Sequence, residues 1–80
     1  MKLCLDFQIY LMLWKFDQDT NLPFIKNYIT YNDGNIKTCD MFGYLCFINN
    51  AMKRFRKERQ FESFSEFMNK KYPPVEGTYD

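Results

Sequence analysis

Eighty residues make one domain, and eleven basic against ten acidic residues leave a formal charge of +1, so no global field draws in nucleic acid or an anionic membrane. Sixteen aromatic residues, nine of them Phe, give so short a chain the means to build a dense core. Histidine is absent and the only glycines are Gly34, Gly43 and Gly77. That excludes Ser-His-Asp and Cys-His nucleophilic sites, the usual catalytic zinc sets and glycine-rich phosphate loops, so the chain reads as non-enzymatic, with no cofactor or metal.

Along the chain, residues 2–14 alternate. Leu3, Leu5, Phe7, Ile9, Leu11 and Leu13 take the odd positions, and Lys2, Asp6 and Gln8 the even ones, which is the period of a strand. A helix here would be apolar nearly all round. Leu3 to Trp14 is too short and too polar to span a bilayer, and a secretory leader is not expected because Asp6 and Gln8 interrupt the apolar run and no small-residue cleavage site follows. Tyr10, Met12 and Trp14 fall together on the even face of that strand, and Tyr10 and Trp14 are residue types that anchor partners.

A polar break follows at residues 17–21, supported by Pro23. Asp17, Asp19 and Asn21 imitate the start of a calcium-binding EF-hand loop. The match fails at its sixth and twelfth positions, Leu22 and Tyr28, where a Gly and a Glu belong. Residues 24–31 resume strand chemistry. Asp33-Gly34 suits a type I′ hairpin turn that would set Tyr31 opposite Ile36.

Asp40 caps a helix running from Met41 to about Glu58. Leu45, Ile48, Met52 and Phe55 form its apolar stripe, broadened by Met41, Phe42 and Ala51. Ser63 and Glu66 make a capping box for a shorter helix with Phe64, Phe67 and Met68 on one face and Lys70 and Lys71 in its last turn. Tyr72, preceding Pro73, ends it. The expected fold is α+β: a small three-stranded antiparallel sheet, from the N-terminal strand and the hairpin, with a long and a short C-terminal helix packed on one face. Residues 1–72 form the domain and 73–80 a frayed tail.

The odd cysteine set, Cys4, Cys39 and Cys46, reads as reduced thiols and so as a cytoplasmic setting. Lys53, Arg54, Arg56, Lys57 and Arg59 concentrate positive charge on a helix face, with Lys53, Arg54 and Lys57 opposite the apolar stripe. Such a face is either a solvated outer surface carrying charge that the helix dipole favours or a contact for an acidic protein surface or the phosphates of nucleic acid. Phe55 lies on the stripe rather than among the cations as a stacking platform, which ranks nucleic acid second. Phe, Tyr, Ile, Asn and Lys make up 35 of the 80 residues, a bias expected of an AT-rich coding genome such as a phage's. The sequence therefore points to a small protein-binding module, in its most specific form a phage-encoded inhibitor of a host or defence enzyme acting in the host cytoplasm. The alternatives are a nucleic-acid-binding regulator using face 53–59 and a homodimer that pairs exposed rings.

Overall fold

Asp6 opens the first element. Its carboxylate accepts the N–H groups of Gln8 at 3.0 Å and Ile9 at 3.3 Å, satisfying donors that a helix start leaves orphaned. From that cap α1 runs Phe7–Thr20 and ends at Asn21, which takes the left-handed conformation and donates its N–H to the Asp17 carbonyl. The computed structural model describes residues 6–75. After α1 come α2 (Ile25–Tyr31), a 3-10 turn (Ile36–Thr38), α3 (Met41–Glu58) and α4 (Phe64–Lys71).

Among the described residues there is no strand, so the expected α+β fold is overturned: four helices replace the three-stranded sheet with two helices on one face. The alternation read in residues 2–14 coexists with a helical pattern. Tyr10, Leu13 and Asp17 are buried at spacings of three and four, with Ile9 and Phe16 half-buried beside them. A helix apolar nearly all round is what forms. Phe7, Leu11, Met12 and Trp14 of this helix stay exposed.

The hairpin is corrected as well. Asp33 and Gly34 do adopt positive φ, 56° and 78°, as a type I′ turn would ask. Here the two residues close α2. The Gly34 N–H donates to the Ile29 carbonyl and the Asp33 N–H to the Thr30 carbonyl, both at 2.9 Å, the paired bonds of a Schellman motif.

The last two helices begin where the sequence placed them. The Asp40 side chain accepts the Gly43 N–H, and Ser63 Oγ accepts the Glu66 N–H at 3.1 Å. The stripe of α3, however, is turned by about one residue. Tyr44, Phe47, Ile48 and Ala51 are buried, while Met41, Phe42 and Leu45 face outward.

The core centres on Leu13, Ile29, Tyr44, Phe67 and Met68, all essentially inaccessible. Rings join the helices across it: Phe16 meets Tyr44 at 5.9 Å, Phe24 meets Phe64 at 5.3 Å and Phe47 meets Tyr72 at 5.0 Å. Short α2 is held by polar bonds that local sequence does not supply. Buried Asn27 donates through Nδ2 to the Tyr72 carbonyl at 2.7 Å and to Asn69 Oδ1 at 3.1 Å. The Val75 N–H reaches the Lys26 carbonyl at 3.1 Å. Among the described residues, every buried side-chain polar atom has a partner.

Gly43 sits in the first turn of α3, where Ala would normally stabilise a helix by about 1 kcal/mol. A Cβ added there would press into the Tyr28 hydroxyl and lie 3.0 Å from Asp40 Oδ1. Gly43→Ala is therefore expected to cost about 1–2 kcal/mol in urea unfolding, against the propensity trend. Tyr28→Phe removes the clashing oxygen. In a double-mutant cycle the pair should lose at least about 0.5 kcal/mol less than the sum of the single variants, and strict additivity would refute the clash.

Candidate functional site

Three surfaces collect the residues that the sequence singled out. The first is the C-terminal half of α3. At 100° per residue, Lys53, Arg56 and Lys57 lie on the outer face with Phe42, Leu45, Cys46 and Asn49, and all seven are exposed. Arg54 points elsewhere. Its Nη1 donates to the Tyr72 hydroxyl at 2.6 Å, its Nη2 pairs with Glu58 at 3.3 Å, and the guanidinium lies 5.7 Å from the centre of the Tyr72 ring. Lys71 of α4 reaches the same Glu58 at 3.4 Å. Arg54 thus clamps α3 to the end of α4, a position that follows from the rotated stripe. Arg59 is exposed just past α3, in the left-handed conformation that ends the helix.

Beside Arg56 an apolar groove of about 230 Å³ opens between Met52 and Phe55 of α3 and Phe64 of α4. Phe55 packs edge-on against Phe64 at 5.7 Å and also meets Phe67 at 5.7 Å, so its half-buried ring leans on the core while lining the groove.

The third surface is a cleft of about 390 Å³ between α1, the start of α2 and α4. Tyr10 and Trp14, four residues apart, line the same side of it. Tyr10 is buried and Trp14 is 47% exposed. Met12, expected beside them on a strand face, is turned away by the helix, about 160° from Trp14. Gln18, Lys26, Asn27 and Asn69 contribute to the polar part of the lining.

Asp17 forms the floor of this cleft, and its carboxylate is engaged inward. The Tyr44 hydroxyl contacts Asp17 Oδ1 at 2.5 Å and also the Leu22 carbonyl, while it accepts the Phe24 N–H at 2.9 Å. Asp17 Oδ2 accepts the Ile25 N–H at 3.3 Å. The phenol proton is shared between Asp17 Oδ1 and the Leu22 carbonyl. Burial raises the Asp17 pKa, against the lowering pull of the Tyr44 and backbone hydrogen bonds. Burial, and then Asp17 itself, also pushes the Tyr44 phenol up.

Cys39 is buried, and burial reinforced by neighbouring Asp40 pushes its thiol up to about 11, which makes it a poor nucleophile at neutral pH. Cys46 is exposed. Cys4 lies outside the described residues. Among the described residues no cluster of three His, Cys, Asp or Glu side chains could hold a metal ion, and no helix is long and apolar enough to cross a membrane.

Sequence reasoning missed the exposed run of Phe42 and Leu45, which it assigned to the core stripe, and the structural use of Asp17 and Tyr44. Tyr44, Phe47 and Ala51 repeat at three and four as well as Leu45, Ile48 and Met52 do. The signal is present in both phases, and packing chooses between them.

Because the folded pKa of Asp17 is raised above its unfolded value, its contribution to stability is complete below the unfolded pKa of about 4 and declines as pH rises through the folded one. Asp17→Asn preserves a donor and an acceptor but has no proton to lose. The difference in urea midpoint between the two proteins should move in favour of the Asp17→Asn variant as pH rises from 3 to 8, and a pH-independent difference would rule out the raised pKa. Comparison with protein-family models, with curated proteins and with solved structures gives no match.

Proposed function

We propose that this protein works by binding another protein, using helix faces that its own core leaves uncovered. The observation that carries the reading is Phe42, 78% exposed on α3 between the outward-facing Met41 and Leu45. A second run on α1, Phe7, Leu11 and Trp14, recurs at four and three residues and is likewise exposed. Leu11, Trp14, Phe42 and Leu45 leave much of their apolar surface to solvent. Apolar side chains grouped on one face beside charged groups mark interaction surfaces.

The cations of face 53–59 support a partner with an acidic surface. With Arg54 engaged by Tyr72 and Glu58, and Phe55 engaged by Phe64 and Phe67, the face lacks the ring-and-cation interleaving of a single-strand binder. Protein binding therefore ranks above a nucleic-acid-binding regulator. The AT-rich composition supports a more specific form of the same proposal, a phage-encoded inhibitor of a host or defence enzyme in the host cytoplasm.

The test is a tagged pull-down from host lysate, with and without nuclease, using wild type, Phe42→Asp and Trp14→Asp. A stoichiometric protein band that survives nuclease and is lost in at least one variant is expected. Recovery of nucleic acid alone, falling steeply with salt, would instead favour the regulator. Light scattering on the purified chain reads out the homodimer directly.

A further inference from the structure

On the outer face of α3 the order of side chains is polar in both senses of the word. Phe42, Leu45 and Cys46 occupy the first turns, Asn49 the middle, and Lys53, Arg56 and Lys57 the last turns, all of them exposed. At 1.5 Å per residue the apolar end and the cationic end are about 16 Å apart along the axis, from Phe42 to Lys53. The cations sit where the α3 macrodipole favours them.

Resting on the protein-binding reading, we infer that this face receives an acidic amphipathic helix from a different protein, running antiparallel to α3. The charge order selects the occupant. A second copy in parallel would set Lys53, Arg56 and Lys57 against themselves. A second copy antiparallel and in full register would set the apolar end of each helix against the cations of the other. Nucleic acid would engage the cationic end alone and leave Phe42 and Leu45 wet. A partner helix with carboxylates in its first turns and large apolar residues in its last turns fits both ends at once. Carboxylates are most favourable at a helix N-terminus, and only the antiparallel direction sets that terminus against Lys53, Arg56 and Lys57.

The experiment selects displayed random 18-residue peptides on the intact protein carrying Cys4→Ser, with modification of the exposed Cys46 thiol as the reporter of occupancy; Cys39 is buried. Enriched peptides should carry Asp or Glu in their N-terminal half and Leu, Ile or Phe in their C-terminal half. The synthetic form of the best one should slow Cys46 modification at least tenfold. Phe42→Asp, and separately the combined Lys53→Glu, Arg56→Glu and Lys57→Glu variant, should each weaken its binding tenfold or more while circular dichroism stays unchanged. A peptide with its acidic residues changed to Lys should regain binding to the charge-reversed variant. Peptides with acids in the C-terminal half, with no acidic preference, or no enrichment at all would overturn the inference. Binding lost in Trp14→Asp but kept in Phe42→Asp would overturn it while leaving the protein-binding reading standing on α1. If an oligonucleotide binds where no peptide does, both fail.

Discussion

The Tyr44 hydroxyl is the point at which three parts of the chain meet. It touches Asp17 near the end of α1 and the Leu22 carbonyl in the following loop, and it receives the Phe24 N–H immediately before α2. The ring below it is fully buried between Phe16 and Tyr28. A phenol at this depth must have its polar end satisfied, because an unpartnered buried hydroxyl costs on the order of 1–3 kcal/mol. The α1–α2 loop bends so that its backbone supplies those partners, and that bend sets the start of α2. The position of α2 then determines where Asn27 stands to hold the end of α4. One buried oxygen thus links the placement of all four helices.

Where the fold is legible in the sequence, the signal is local. Asp40 and Ser63 announce helix starts because a capping side chain bonds N–H groups two or three residues away, whatever surrounds them. Asp6 does the same for α1, yet its message is masked by the alternating Leu and Ile around it. Asp33-Gly34 reads correctly as a pair of left-handed residues and wrongly as a hairpin, because positive φ ends a helix as readily as it turns a ribbon. The seven residues of α2 are too few to be helical alone, and Phe24 at their N-cap supplies no capping side chain. The Ile25 N–H is taken by Asp17, eight positions back, and Asn27 by residues more than forty positions on, so no local window contains all of the support.

The candidate surfaces are legible to the same extent. Lys53 and Lys57 face outward as their spacing implies and Arg56 joins them, whereas Arg54 turns to Tyr72 because the stripe beneath it starts one residue earlier than Leu45. The same shift of phase brings Phe42 and Leu45 to the surface beside those cations. Tyr10 and Trp14 share a lining because they are four apart on a helix, a relation that a strand reading reaches for a different reason.

The bonds of Asn27 have a bearing on how the chain reaches this fold. Its acceptors lie on residues 68, 69 and 72, and the carbonyl of neighbouring Lys26, which also takes the Thr30 hydroxyl, receives the N–H of residue 75. Bonds that span more than forty residues form only after that much chain entropy has been given up, and they tie the second helix to the end of the chain.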